Sequence, residues 1–430
     1  MKSKFSKTEI LLFCLAFGVR FLYAVFVQLK FGSHGFLAYS DAMSFYLQGA
    51  ENLINHHIFS LDTNPPYMPD AYRTPLYTFF VAFFLWLKSP FFFIILAQNI
   101  MAGFISVLIY RIGLLLNFSY GVSVFAAVLT SLEPASVYWN NLLMSDYLFA
   151  FLFIWSAYEF VNQRYYYFSV LIGLATLARP VSLYFFPVFL VAMVCREFNS
   201  ASKLRLARGF VVTLLIFFTA LFPWTLRNKI VFDTWQLSSA SWYNVYTFLA
   251  QRFADSRGIA LAQRIMPEGY PNPQTFAYDF ANTAFYKQQF FKIAKEHPLA
   301  YFKFHLSSAW RSIWNNHYRY LVDYVIKPKF PTLLSGVYGG PIRMFVTTSS
   351  VIKFIIFGLF IFSYFDKRSR PWFGLFIVVM AINTLTLGSA AYLGADVSRY
   401  NIPLSPFVFL FAGAGFVAVI NNIRFFYERR

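Results

Sequence analysis

Long runs without a charged residue constrain this chain more than any other feature. Phe91 to Tyr110, Pro371 to Ala395 and Asn401 to Ile423 carry none. As helices rising about 1.5 Å per residue, each covers roughly 30 Å, the depth of a bilayer's hydrocarbon core. With 58% of its residues apolar and only 13% charged, the chain reads as all-α, a polytopic membrane helix bundle.

The charges that remain are mostly basic, 36 Lys and Arg against 18 Asp and Glu. They sit in short clusters between apolar runs rather than on one polar domain, so they read as topology signals and phosphate ligands and not as a nucleic-acid surface. Cys14 and Cys195 both lie in apolar segments and give neither a disulfide framework nor a metal-type spacing. The basic N-terminus, with Lys2, Lys4 and Lys7, precedes a long apolar stretch without a small-residue cleavage site, which predicts a retained first helix.

Cytoplasmic loops are rich in Lys and Arg, so the clusters can be tested as a set. The N-terminus, Arg111, Arg164, the group Arg196, Lys203, Arg205 and Arg208, the group Lys367, Arg368 and Arg370, and the tail Arg424, Arg429 and Arg430 all fall inside only if Thr74 to Leu87 does not cross. At about 21 Å that segment is short of the core thickness, and it is read as re-entrant or interfacial. Spans are then predicted at 9–30, 90–110, 119–139, 142–162, 165–179, 180–195, 208–224, 344–365, 371–390 and 401–422. That makes ten, or eleven if Thr74 to Leu87 crosses after all. Residues 31–73 form a first outward loop and 225–343 a second, with 344–430 holding the last spans. The second loop contains Pro267, Pro271, Pro273, a mixed run from Ala281 to Lys295 and an aromatic run through Trp310 and Trp314. Such amphipathic segments suit helices lying on the outer leaflet and roofing a cavity. No repeat of fixed period is apparent.

Ionisable side chains inside a bilayer cost about 2.5 to 3.5 kcal/mol each on insertion scales. Here they are Arg20, Glu133, Asp146, Arg179 and Lys353. Arg20 is expected to pair with Glu133 or Asp146, and Lys353 to snorkel toward the outer surface. Asp146 and Arg179 fall at the outward ends of their helices, facing the side on which Asp41 lies. Asp41 opens a helix-like segment, so it is either a helix cap or a general base that takes a proton from a hydroxyl.

Arg73, Arg179, Arg227 and Arg399 each stand at the outer end of a segment. Each can serve as an interface anchor, yet four forked guanidinium groups near one carboxylate also suit a phosphodiester leaving group. The histidines His34, His56, His57, His297, His305 and His317 lie in the two outward loops without a zinc-protease pattern. No catalytic metal or other cofactor is expected, although Asp41 and a second acid leave a divalent ion open. Phosphate-cradling glycine loops and nucleotide fingerprints are absent.

In order along the chain come Ser40-Asp41, Tyr72-Arg-Thr-Pro-Leu-Tyr77, Leu142-Leu-Met-Ser-Asp-Tyr147, Leu174-Ala-Thr-Leu-Ala-Arg-Pro180, Pro223-Trp-Thr-Leu-Arg-Asn228, Glu296-His-Pro298 and Ser398-Arg-Tyr-Asn-Ile-Pro403. In this set the chain resembles the GT-C superfamily of integral membrane glycosyltransferases, among them the bacterial relatives of protein O-mannosyltransferases and of the lipid A aminoarabinose transferase. The resemblance implies inverting transfer of a hexosyl or pentosyl group from a polyprenyl-phosphate sugar to a hydroxyl, on the outward face of the bacterial inner membrane. It implies Asp41 as the base, with Arg73, Arg179 and Arg399 near the donor phosphate. Arg227 joins them as a candidate, and Asp146, Tyr72, Tyr77 and His56 are candidates for the cavity and acceptor side. Protein O-mannosyltransferases place two acids side by side in the first loop, whereas Ala42 follows Asp41 here. With only a basic tail after the last span as well, the expected acceptor is a glycolipid or cell-envelope polysaccharide rather than a protein. The competing readings are a flippase or transporter for lipid-linked sugars and a protein that binds them without chemistry.

Overall fold

The computed structural model describes residues 5–198, 202–262, 264–268, 270, 275–314, 339–388 and 397–428. Lys2, Lys4, Pro271, Pro273, His317, Arg429 and Arg430, and residues 315–338 of the second outward loop, lie outside them. The described residues are mostly helical, with no strand among them.

Helix α1 (Lys7–Phe31) begins at a reciprocal cap: the Ser6 hydroxyl accepts from the Glu9 N–H, and the Glu9 carboxylate accepts from Ser6 N–H. After α2 (Gln48–His56), the segment expected to re-enter is α3 (Pro75–Trp86), a helix of 12 residues opened by Pro75. Next come α4 (Phe91–Leu115), α5 (Tyr120–Leu132), α6 (Pro134–Asn140), α7 (Asp146–Val161), α8 (Tyr165–Ala178), α9 (Ser182–Glu197) and α10 (Lys203–Phe232). By length and apolar composition α1, α4, α10 and Ser405–Ile423 could each cross a membrane, and α5 with α6 adds a fifth if that bent pair is one span.

Two boundaries differ from the sequence reading. The span expected at 119–139 is broken by 53° between α5 and α6. Pro134 has no N–H to give the Thr130 carbonyl, and Glu133 turns its carboxylate onto the Ala135 and Ser136 N–H groups to cap the new helix. Arg20 does not pair with an acid as expected. It is buried and donates to the freed carbonyls of Thr130 at 3.2 Å and Ser131 at 2.7 Å, and to Ser136 Oγ and Tyr147 OH. The break creates unsatisfied carbonyls in an apolar setting, and a guanidinium satisfies them. The second difference is α10, expected to end near residue 224, which runs on through Pro223 to Phe232.

Beyond α10 the chain forms short helices, α11 (Ala240–Val245) and α12 (Gln251–Asp255), then α13 (Thr283–Glu296) and α14 (Pro298–Trp314). Helices α15 (Gly339–Phe362), α16 (Arg370–Asn383), α17 (Val397–Asn401) and α18 (Ser405–Glu428) complete the bundle. Helix α18 lies so close to α15 that a Cβ at Gly415 would overlap the Leu359 carbonyl. Aromatic packing fills the centre, with the Phe186 and Phe217 rings stacked 3.7 Å apart.

Polar ties gather one end of the bundle. Arg111 Nε meets the Glu9 carboxylate at 2.6 Å, Arg368 donates to the Asn117 carbonyl, and Arg196 donates to the Val161 carbonyl while lying over Trp372. The starts of α1 and α16 and the ends of α4, α7 and α9 therefore share that end. The opposite end holds the first loop, the segment from α11 to α14 and the side chains described next.

Candidate functional site

Five charged side chains from five separated segments form one ion network. Asp41 stands at the head of a wide π turn, Ala42–Leu47, and its carboxylate caps nothing there. Its Oδ2 accepts instead from Arg73 Nη2 at 2.8 Å and from Arg399 Nη2 at 3.1 Å. Arg399, on α17, turns its Nε to Asp146 Oδ1 at 3.2 Å. Asp146, the first residue of α7, also receives Arg179. The order is Arg73, Asp41, Arg399, Asp146, Arg179.

Local sequence sets these positions. Arg73 precedes Thr74 and the helix-opening Pro75. Arg179 follows the last residue of α8 and is held extended (φ −149°, ψ 124°) because Pro180 disfavours the helical conformation for the residue before it. The floor of the network is shut off: the Asp146 and Arg399 side chains are 0% and 2% exposed. Its edge is open, with Asp41, Arg73 and Arg179 at 16%, 20% and 12%. Three guanidinium groups against two carboxylates leave a formal charge of +1. Arg73 Nε is buried without a hydrogen-bond partner. A cationic cluster with an open edge and an unused N–H suits an anion.

Aromatic faces hold the arginines. Arg73 lies over Phe45 at 4.5 Å and Tyr72 at 4.9 Å, Arg179 over Tyr400 at 5.1 Å, and Arg399 over Tyr39 at 5.2 Å and Tyr400 at 5.4 Å. None of Tyr39, Phe45 or Tyr400 was marked out by the sequence as a site residue; in a chain that is 22% aromatic, only contact in the fold distinguishes them. Burial pushes the Asp41 carboxyl up, but the charges of Arg73 and Arg399, a hydrogen bond from Arg399 and the charge of Arg179 outweigh it and hold its pKa below the ordinary value. Burial likewise works against the Arg73 charge, and Asp41 more than restores it, so that pKa is raised.

The other candidates carry no charge into the network. Tyr72 is buried in an aromatic box with Phe45, Tyr243 and Tyr278. Tyr77 lies a layer deeper, its ring against Tyr46 and its hydroxyl donating to Gln98 Oε1 at 2.6 Å. Gln98 Nε2 in turn donates to the Asn140 and Leu142 carbonyls, just ahead of Asp146. His56 is exposed and stacked on Tyr67 at 4.0 Å. Arg227 does not join the network: it donates to the Asp70 carbonyl at 2.8 Å and packs over Trp224 at 4.8 Å. The Asp70 carboxyl beside it is buried, accepts the Tyr72 N–H at 2.6 Å and has its pKa pushed up to about 7. Burial is the main cause, opposed by the Tyr72 bond and the Arg227 charge and supported by the neighbouring Asp62 and Asp279. Ser238 and Ser239, reaching the Tyr72 and Ala71 carbonyls, tie this loop to the segment beyond α10.

A groove of about 510 Å³ begins at Pro180, next to Arg179. Its apolar walls are Leu183 and Tyr184 of α9 and Phe218, Leu221 and Phe222 of α10, and its far side is formed by residues from Trp235 to Trp242, among them Gln236, Ser238 and Ser241. Among the described residues no group of three or more His, Cys, Asp or Glu side chains could hold a metal ion. No protein-family model, curated protein or solved structure matches the chain.

Proposed function

We propose that this chain is an inverting glycosyltransferase of the GT-C type, moving a sugar from a polyprenyl-phosphate donor to a hydroxyl on the outward face of a bacterial inner membrane. The observation that carries the reading is one carboxylate, Asp41, at the open edge of a three-arginine cluster. The donor phosphate binds Arg73, Arg179 and Arg399, and the acceptor hydroxyl approaches Asp41. The acceptor oxygen forms its bond to the anomeric carbon as the carbon–oxygen bond to phosphate breaks. The hydroxyl proton passes to Asp41, and the polyprenyl phosphate leaves with the electron pair, stabilised by the guanidinium groups. A single displacement needs one carboxylate and inverts the anomeric centre. The formal charge of +1 matches one phosphodiester, and the groove beside Arg179 suits an apolar chain leading away from it.

The same proposal takes ten spans: α1, α4, the pair α5 and α6, then α7, α8, α9, α10, α15, α16 and α18, with α3 re-entrant. The end where Glu9, Arg111, Arg196 and Arg368 meet is then cytoplasmic, in line with the positive-inside rule. Lacking a second acid next to Asp41, the site is assigned a glycolipid or cell-envelope polysaccharide acceptor rather than a protein.

Transfer of labelled sugar from a panel of polyprenyl-phosphate sugars, by purified protein in lipid, tests the reading. Wild type is expected to consume one donor, and Asp41→Asn to lose about 10²- to 10⁴-fold in rate. Movement of intact lipid-linked sugar across the bilayer without consumption would instead make the chain a flippase.

A further inference from the structure

The arginines that suit the donor phosphate are already in use. Arg73 Nη2 and Arg399 Nη2 converge on the same oxygen of Asp41. A carboxylate so occupied is a poor base: a proton arriving on it would meet two positive charges and displace two charge-assisted hydrogen bonds. We propose that the donor phosphate and Asp41 compete for these guanidinium groups, so that binding of the anion releases Asp41 and thereby turns it into the working base. This inference rests on the transferase reading and adds to it an order of events, donor before proton transfer.

The geometry allows the exchange without unfolding the site. Arg399 is anchored from behind by Asp146 through its Nε, so its Nη2 can change partner while the side chain stays in place. Arg73 is the most exposed of the three cations and keeps its stacking on Phe45 and Tyr72 if its N–H edge moves to another oxygen. Its buried Nε is a further donor for an incoming phosphate oxygen. Arg179 is held by Asp146 and does not touch Asp41, so it can receive the anion from the other side of the open edge. With the phosphate in place the network's formal charge falls from +1 to zero. Asp41 then loses the hydrogen bonds and much of the field that hold its basicity down.

An ordinary base that does not share its partners with the donor predicts, when made neutral, only the gain from removing one like charge, which added salt screens. The exchange predicts a larger gain that persists at high salt, because buried pairs are screened much less. Binding of a prenyl methyl phosphate, a diester with one charge at all working pH values, is measured to wild type, Asp41→Asn and Asp41→Ala in nanodiscs, with size exclusion confirming intact protein. Both variants are expected to bind about tenfold more tightly than wild type, because no carboxylate holds the arginines back. Equal or weaker binding in the variants, or no binding to any of the three proteins, overturns the exchange. Tighter binding in proteins that transfer no sugar keeps the exchange and removes the transferase. Transfer by wild type without tighter binding in the variants does the reverse.

Discussion

Asp70 differs from Asp41 in the sign of its effect on folding. With few charges to stabilise it and two acids nearby, its pKa in the fold lies near 7 against an ordinary 3.8. A carboxyl that holds its proton more tightly when folded contributes stability that is full below its unfolded pKa and is lost as pH rises through the folded one. Asp41, with its pKa lowered, contributes stability above its unfolded value and loses it only on acidification. Between about pH 4 and pH 7, therefore, wild type is expected to lose thermal stability as pH rises, and Asp70→Asn to show a flatter profile. Parallel profiles from tryptophan fluorescence melts would show that Asp70 does not titrate in this window. At this scale much of the site was legible beforehand. Asp41, Arg73, Asp146, Arg179 and Arg399 were all named from the sequence, and they meet in one network. Most of them stand close to a marked helix boundary, as Arg73 does beside Pro75 and Arg179 beside Pro180. Arg227 carries the same signal through Pro223, yet Pro223 lies inside a helix that continues to Phe232. A proline marks a helix end only where neighbouring groups do not make up for its missing N–H.

The unit of α5, the bend and α6 shows how one element depends on a residue far from it. Arg20 of α1 supplies hydrogen bonds that the backbone loses at Pro134. Arg20→Met keeps the packing volume but strands the Thr130 and Ser131 carbonyls, at a cost of about 1 to 3 kcal/mol each. Pro134→Ala restores an N–H at the bend, so the double variant is expected to recover part of the stability lost in Arg20→Met. Strictly additive losses in a double-mutant cycle, read by thermal unfolding in detergent, would separate the two features. The apolar pattern predicted one straight span here because hydropathy does not register a bend. The partner of Arg20 was misassigned for a related reason: carbonyls freed by a broken helix are not visible as residue types, whereas Glu133 and Asp146 are.

For the molecule as a whole, apolar length foretold helices, and the described residues contain no strand. The proposed topology makes a prediction about sidedness. After replacement of the exposed Cys14 and Cys195, a cysteine at exposed Met68 is expected to react with an impermeant maleimide in intact spheroplasts, and one at Lys367 only after permeabilisation. The opposite pattern would reverse the topology, and identical labelling of both positions would void it.

The two acids at the heart of the network are made early and their shared arginine late. Arg399 follows Asp146 by 253 positions, about 10 to 50 s of synthesis at bacterial and eukaryotic rates. For most of that interval Asp146 has Arg179, made 33 residues after it, to lean on, while Arg399 is still to be translated. The cluster thus gains its last member long after its first. Only a chain translated past α17 can close it, so the candidate site forms late in synthesis.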